Sequence, residues 1–434
     1  MKREQIYLHL LLTFMLSGCL QKFSIPEDIN SDSSELFFAG DTSFLELKPL
    51  WDSEFGIIDP TEISIAQDGR IFIADSSNHS IFVLDQNGEK PDKFSTLKNL
   101  RNENGSFIAP IDVDIDEKMN IFFIDGTEKV YVWNQYWNHI GIEKVSTSGS
   151  FRHMESGEIE NINSWDKNWV SFLNDTDWML VDTVFSNDQP IIDSISSPYI
   201  FYDGSLLRNN LLDAYYDSGL SEFSGITSPA GQGNFIILCD DYTSLTNKSR
   251  ILEVVFKKSL LIELKNGQRL WCFTGAFGST IKGFGTGAGT VNRPLSIDVD
   301  YEGNLYYTQA GNFFPVHKIV PNFSGDFAVY SSGFQPGNTD ITDSEFFSLP
   351  MDIAIDKNKY VYIADSNKPS VKVFDPRGKF FKELGLIESG STFKKPVAVT
   401  VDNRGVVYVC DKDNKAILRF KLSNSLDEDL ILDN

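Results

Sequence analysis

The chemistry open to this chain rests on carboxylates. Five stretches open on a proline and run into alternating apolar residues, at Pro60, Pro110, Pro294, Pro350 and Pro396. Two residues past these prolines stand Glu62, Asp112, Ser296, Asp352 and Ala398; four residues past them stand Ser64, Asp114, Asp298, Ala354 and Thr400. Side chains alternate along an extended strand, so both sets point to one side. Glu62, Asp112 and Asp352, gathered at one mouth, would offer an all-oxygen site to a hard cation, calcium or another divalent ion. The competing reading makes them solvated acids or hydrogen-bond partners between neighbouring units.

Other candidates offer less. Past the N-terminal segment the histidines are His79, His139, His153 and His317, and none falls on a proline-led strand. Cys239, Cys272 and Cys410 sit in apolar runs without a CxxC pair or a zinc-ligand spacing, which reads as buried free thiols. Gly283, Gly285, Gly287 and Gly289 resemble a dinucleotide loop, but that fingerprint needs a strand before it and a helix after it. Here the segment runs into Pro294, which makes it a connection. Trp133, Trp137, Trp165, Trp169 and Trp178 place five of the seven tryptophans within 46 residues, beside Tyr131 and Tyr136. Such a concentration suits a partner surface, the alternative being that each fills a wedge in the core.

The elements that must position these residues form a repeat. Each copy has a proline-led strand, a turn, a second apolar strand ending in Asp or another polar residue, a short loop and often a third strand. Ile71–Asp75, Ile121–Asp125, Tyr360–Asp365 and Val406–Asp411 are second strands of this kind, and Ile81–Asp85 and Val371–Asp375 are third strands. Their β-branched and aromatic content and Gly, Asn and Asp boundaries are strand signals. A small sheet with two apolar faces must stack on copies of itself, and stacking around an axis gives a β-propeller. Asp75, Asp125, Asp365 and Asp411 recur from copy to copy, which points to loop-holding hydrogen bonds and not to catalysis. Asp116, Asp300, Asp356 and Asp402 read as turn formers.

The prolines lie 46 to 56 residues apart within good copies, while Pro110 and Pro294 are 184 apart. A divergent copy inside that gap has strands at Phe235–Asp240, Arg250–Val255 and Gln268–Phe273. That leaves residues 150–228 for one more irregular blade. The expected fold is all-β, a propeller of four-stranded blades, with seven preferred and six the alternative if the irregular stretch is partly an insertion. The last copy lacks a fourth strand, and Phe44–Lys48 is placed to supply it and close the ring.

The strings Ile71–Ile81 and Val361–Asn367 resemble NHL repeats, and good copies cover about half of the chain. The resemblance implies a propeller, commonly six-bladed. It leaves function open among protein-binding platforms, RNA binders, sensor ectodomains and amidating lyases. The amidating lyases hold zinc through several channel histidines, and no such set is legible here. Streptogramin lyases and gluconolactonases are also propeller enzymes, and no residue set here matches either.

Met1, Lys2 and Arg3, the apolar run Ile6–Leu16 and the sequence Leu16-Ser17-Gly18-Cys19 resemble a signal peptide with a bacterial lipobox. The resemblance implies cleavage after Gly18, lipid on Cys19 and an address in the cell envelope. Leu20, in place of Asp, points to the outer membrane. The expected division is signal peptide 1–18, lipidated Cys and tether 19–40, propeller 41–423 and acidic tail 424–434. The formal charge of −23 disfavours nucleic acid and electrostatic docking to anionic lipid, so the membrane is expected to be reached through the N-terminal lipid alone. The sequence reading is a lipid-anchored platform for a protein, peptide or glycan, with a propeller hydrolase or lyase carrying a divalent metal in its central channel as the alternative.

Overall fold

The computed structural model describes residues 44–91, 96–102, 105–134, 146–163, 171–172, 175–185, 199–205, 221–229, 234–243, 248–263, 269–311, 314–324, 327–387 and 390–422. β1 (Phe44–Trp51) precedes the first repeat, which folds as β2 (Pro60–Ile65), β3 (Ile71–Asp75) and β4 (Ser80–Leu84). The second begins as β5 (Asp112–Ile115), β6 (Asn120–Ile124) and β7 (Lys129–Asn134). The chain then builds a separate sheet from β8 (Ser146–His153), β9 (Ile159–Asn163) and β10 (Trp178–Phe185). β11 (Tyr199–Asp203) follows and pairs with β7 as the fourth strand of the second blade. The third blade is β12 (Phe223–Thr227), β13 (Phe235–Asp240), β14 (Arg250–Glu263) and β15 (Arg269–Lys282). The fourth is β16 (Pro294–Val299), β17 (Leu305–Gln309), β18 (Val316–Ser324) and β19 (Phe327–Ser332). The fifth is β20 (Pro350–Ile355), β21 (Val361–Asp365), β22 (Ser370–Phe374) and β23 (Phe380–Leu384). A small hairpin, β24 (Leu386–Ile387) with β25 (Gly390–Ser391), leads to the sixth blade, β26 (Pro396–Val401), β27 (Val407–Asp411) and β28 (Ala416–Leu422).

The inner strands β2, β5, β12, β16, β20 and β26 touch in that order, and β26 meets β2. This closed cycle is a β-propeller. Among the described residues there are seven sheets of three or more strands, but six of them supply the ring. The seventh, β8–β10, is inserted between the third and fourth strands of the second blade. Its Phe151 and Ile162 are buried in the same cluster as Val113, Ile121, Phe123 and Trp133, so the insertion finds an apolar seat without an inner strand of its own. The preferred count of seven blades is thus a count of sheets, and the ring itself follows the six-blade alternative. The stretch 150–228 holds the insertion, β11 and the inner strand β12 where one irregular blade was expected.

Second and third strands such as β3, β4, β21 and β22 are buried along their whole length, as sheets covered on both faces require. The ring closes as the sequence suggests. β1 pairs antiparallel with β28, from Phe44 opposite Leu422 to Leu47 opposite Arg419, and Trp51 lies opposite Ile417. Trp51 is fully buried among Ile73, Leu84 and Tyr408.

Hydrogen bonds between neighbouring inner strands set their direction. Thr61 Oγ1 donates to the Pro110 carbonyl at 2.9 Å and Ser224 Oγ to the Pro294 carbonyl at 2.7 Å, so start lies beside start. The inner strands therefore run parallel around the ring, from an entry face to an exit face. Blade three lacks the leading proline and has Gly225 in its inner strand. A Cβ there would stand 3.0 Å from the Ser296 Cα, so glycine permits the close approach of blades three and four.

Candidate functional site: an acidic channel

The inner strands enclose a cavity of about 70 Å³ lined by Glu62, Asp112, Asp114, Asp298 and Asp352, with Ser64, Thr227, Ser296 and Thr400 among the other polar lining groups. The strand alternation read from sequence holds at nine of the ten positions: residues two and four past the prolines face this space, except Ala398, which is buried in the core. The lining contains no Lys, Arg or His.

Four of the five acids reach across a blade boundary. Asp112 Oδ2 accepts from the Ile226 N–H at 2.8 Å, and Asp114 Oδ2 from the Ser228 N–H at 2.6 Å. Asp298 Oδ2 accepts from the Ile355 N–H at 2.9 Å, and Asp352 Oδ2 from the Val399 N–H at 2.6 Å. Ser64 Oγ donates to Asp114 Oδ1 at 2.8 Å, and Ser296 Oγ donates to Asp352 Oδ1. Glu62 differs, because its Oε1 accepts from the adjacent Ile63 N–H at 2.9 Å. The carboxylates thus join blade to blade, the structural reading weighed against a cation site. They do so with one or two bonds each, where an ionised carboxylate has about four lone-pair positions.

Their electrostatics follow from crowding. Loss of water raises the proton affinity of all five, and like charge adds to it at Glu62, Asp112, Asp114 and Asp298. Burial pushes Asp114 and Asp352 up to about 6, and Asp298 to about 7, against the hydrogen bonds that hold them down. Glu62 and Asp112 rise well above the usual carboxylate range through burial, then through the Asp352 charge. Among the described residues no three His, Cys, Asp or Glu side chains are drawn together as a metal-ligand set. Glu62, Asp112 and Asp352 therefore share the channel without forming a ready cage.

The recurrent aspartates at the end of the second strand are structural, as expected. Asp75 accepts from the Ile58 and Asp59 N–H groups at 2.7 and 3.2 Å, Asp365 from Ser348 and Leu349 at 2.7 and 2.9 Å, and Asp411 from Lys394 and Lys395 at 2.7 and 3.1 Å. Each fastens the loop entering its own blade. Asp125 departs from the pattern and bonds Thr127 and Tyr131. Sequence reasoning missed two substitutes. In blade three Asp240 takes the Glu222 N–H and pairs with Arg250, and in blade four Gln309 takes the Asn292 N–H. Both close a second strand, and that position was the available signal. Asp116, Asp300, Asp356 and Asp402 accept turn N–H groups as expected.

The aromatic surface is corrected in part. Trp133 is buried in the core because it points from β7 into the apolar wedge beside the insertion. Trp178 packs on Phe172 and edge-on to His153, at 5.0 Å in each case. Trp137, Trp165 and Trp169 lie outside the described residues. Among the described residues no histidine lines the channel: His79 stacks on Phe107, and His317 is buried in blade four, where its Nδ1 accepts from the Gly289 N–H, while His139 lies outside the described residues. Cys239 and Cys410 are buried and free. The glycine run 283–289 is a connection, with Phe284 bridged to Val291 just before β16.

No family model matches the chain. Over 139 residues, 31% of its length, it is 25% identical to the probable peptidyl-alpha-hydroxyglycine alpha-amidating lyase pgal-1 of Caenorhabditis elegans. That match spans 38% of the curated relative, well under half of its length. Among solved structures the chain is similar to a gluconolactonase from Xanthomonas campestris, at 8% identity and a TM-score of 0.44, covering 88% of this chain and 98% of that one. It is also similar to virginiamycin B lyase from Staphylococcus aureus, at 12% identity and a TM-score of 0.37, covering 88% and 89%.

Proposed function

We propose that this protein is a propeller enzyme of the lyase or hydrolase class whose chemistry sits in the acidic channel, with a hard divalent cation as charge partner. One observation carries the reading: five carboxylates face one small cavity whose lining has no basic side chain. Desolvated like charges must take up protons or a cation. The donors are carboxylate and hydroxyl oxygens, chemistry that suits calcium or magnesium and not zinc. A cation would have to draw Glu62, Asp112 and Asp352 towards one another, and Glu62, with no bond across a blade boundary, has the least to give up. Asp114, Asp298 and Asp352, held near neutrality, suit proton transfer at ordinary pH. The partial match to an amidating lyase supports the class. The described lining of the channel offers oxygen donors and no imidazole, which favours a hard cation over zinc in this reading.

The lipid anchor on Cys19 and an outer-membrane address belong to the same proposal and rest on residues 1–20. The binding-platform reading, for a protein, peptide or glycan, keeps the partly buried Trp178, with Trp137, Trp165 and Trp169 outside the described residues, as its aromatic anchors.

The test is metal content and thermal stability of the chain from Leu20 to Asn434, with and without chelator, beside turnover of a peptidyl-α-hydroxyglycine. Stoichiometric metal, a lower Tm on chelation and weaker metal uptake in Glu62→Gln are expected. Absence of metal with an unchanged Tm overturns the cation. Release of glyoxylate and peptide amide identifies the lyase, and its absence with metal present directs the search to hydrolytic substrates.

A further inference from the structure

The inserted sheet of blade two is more than the ring needs. In blade five the third and fourth strands are joined by residues 375–379, whereas in blade two residues 135–198 stand between β7 and β11. One face of the insertion is spent on the ring: Phe151 and Ile162 are buried there, and Phe172, Trp178 and Leu180 pack on the same cluster. Side chains alternate across a strand, so their neighbours face the other way. On that outward face Met179, Arg152 and Ile159 are registered side by side across the three strands. Met154 follows Arg152 by two, and its N–H donates to the Asp177 carbonyl at 2.7 Å, which holds it beside β10. Val181 stands at the register shift of β10. Met154, Ile159, Met179 and Val181 are 60, 54, 46 and 38% exposed, so the apolar side chains of this face lie in water.

Charge surrounds this apolar face with one sign. The described residues of the insertion carry six exposed acids, Glu155, Glu158, Glu160, Asp175, Asp177 and Asp182, against Arg152 alone. Asp182 is registered opposite Ser150, two residues from Arg152, which puts it about 7 Å to one side of the Met179–Arg152–Ile159 row. Asp177 and the β8–β9 turn, with Glu155 and Glu158, lie to the other side. His153 fixes that turn: its N–H donates to the Glu158 carbonyl at 2.8 Å and its Nδ1 accepts from the Ser156 N–H at 3.2 Å. The face is therefore apolar in the middle and acidic at both ends.

That layout selects its occupant. Anionic lipid and nucleic acid would meet the acids with like charge. A second copy, docked about a twofold axis, would bring the same acids against themselves. A polypeptide segment with apolar side chains in its centre and lysine or arginine on both flanks covers the apolar middle and pairs with the acidic ends. Methionine side chains adapt to the shape of what they cover. Arg152 adds its aliphatic stem to the apolar area and offers its N–H groups to the carbonyls of an incoming backbone.

We propose that the outward face of the β8–β10 insertion docks a basic polypeptide segment of another protein through an apolar centre. The inference is independent of the channel and of any catalysis there. The probe is a fluorescent peptide of three leucines flanked on each side by three lysines. The comparison peptides carry serines in place of the leucines, or glutamates in place of the lysines. Fluorescence anisotropy with the chain from Leu20 to Asn434 should show binding of the first peptide, binding weaker by about tenfold for the serine peptide, and none for the glutamate peptide. Ile159→Ser with Met179→Ser should weaken the first peptide about tenfold, and so should Glu155→Lys with Glu158→Lys. Glu54→Lys with Glu117→Lys makes the same change of charge on the ring and should alter binding less than about twofold. An unchanged Tm shows each variant folded; where the serine pair lowers it, Met154→Ser, outside the strands, repeats the apolar test. No binding, equal binding of the serine peptide, insertion variants that bind like the parent, or an equal loss in the ring variant overturns the inference. So does an insertion-dependent dimer in sedimentation velocity without peptide binding, which assigns the face to a second copy of this chain.

Discussion

A carboxylate at the end of a second strand does more for this fold than its size suggests. Asp365 is fully buried and accepts from four backbone N–H groups, those of Ser348, Leu349, Asn367 and Lys368. Two belong to the loop that enters the blade and two to the turn that follows, so one side chain ties both to β21. Asp75 and Asp411 repeat the arrangement in blades one and six. Asp365→Ala would leave those donors buried or force the loop open, at a cost of about 3 kcal/mol. Asp365→Asn keeps one acceptor oxygen and should cost less. Urea midpoints at pH 7 for the two variants check this, and an alanine variant as stable as the parent would refute the account. The channel carboxylates stand one strand inward. Asp112, Asp114, Asp298 and Asp352 among them accept N–H groups across blade boundaries, so they combine structural use with unspent charge.

At the scale of elements, the chain announced what repeats and hid what does not. Proline, alternation and a closing aspartate recur in blades one, two, five and six, and those strands fell where periodicity placed them. Blade three has Phe223 and Gly225 where a leading proline and a channel residue stand elsewhere, so its inner strand carried no signal. β8–β10 has strand-like composition and a length fit for a blade. Only its seat beside Trp133, a tertiary fact, shows it to be an insertion. The sequence places the fourth strand of blade three at Gln268–Phe273, whereas the strand observed is longer, Arg269–Lys282, and the part opposite the Ile251–Phe256 portion of β14 is Gly275–Lys282, the earlier part pairing with the outer half of β14. The closing strand was legible because blade six lacked a partner, and its weight falls on Trp51. The Tyr408 ring lies 5.6 Å from it and the Arg419 guanidinium 4.5 Å above it. Trp51→Ala should cost about 3–5 kcal/mol through the cavity it leaves. Trp51→Phe should cost under about 1.5 kcal/mol, since it keeps most of the apolar bulk and removes an indole N–H that has no acceptor among the described residues. Thermal unfolding of both variants separates loss of packing from loss of a polar contact, and an equal loss in the two would place the role of Trp51 in its N–H.

The ring as a whole gathers acids that would be scattered in the unfolded chain, and this gives stability a pH dependence of definite sign. A carboxyl group whose proton affinity is higher folded than unfolded supports the fold while protonated, and its contribution fades as pH rises through the folded value. Asp114 and Asp352 near 6 and Asp298 near 7, each from an ordinary 3.8, place that loss between about pH 4 and pH 7. Glu62 and Asp112 are raised further and extend the loss upward. His317 works against them, since burial lowers it from 6.5 to about 4 and its contribution is lost as pH falls through that range. One imidazole faces five carboxyl groups, and above pH 6.5 its contribution is complete while theirs is still declining. The Tm should therefore fall from pH 5 to pH 8 in the absence of divalent cation. Glu62→Gln removes one of the mutually repelling charges and should flatten the decline. A hard cation that replaces the lost protons should restore the Tm at pH 8 far more than at pH 5, because protons and cation compete for the same oxygens. Melting curves at pH 5 and pH 8, with and without millimolar calcium, settle the point. A Tm that rises with pH over this range would mean that these acids ionise without cost in the folded ring, and would remove the electrostatic reason for a cation in the channel.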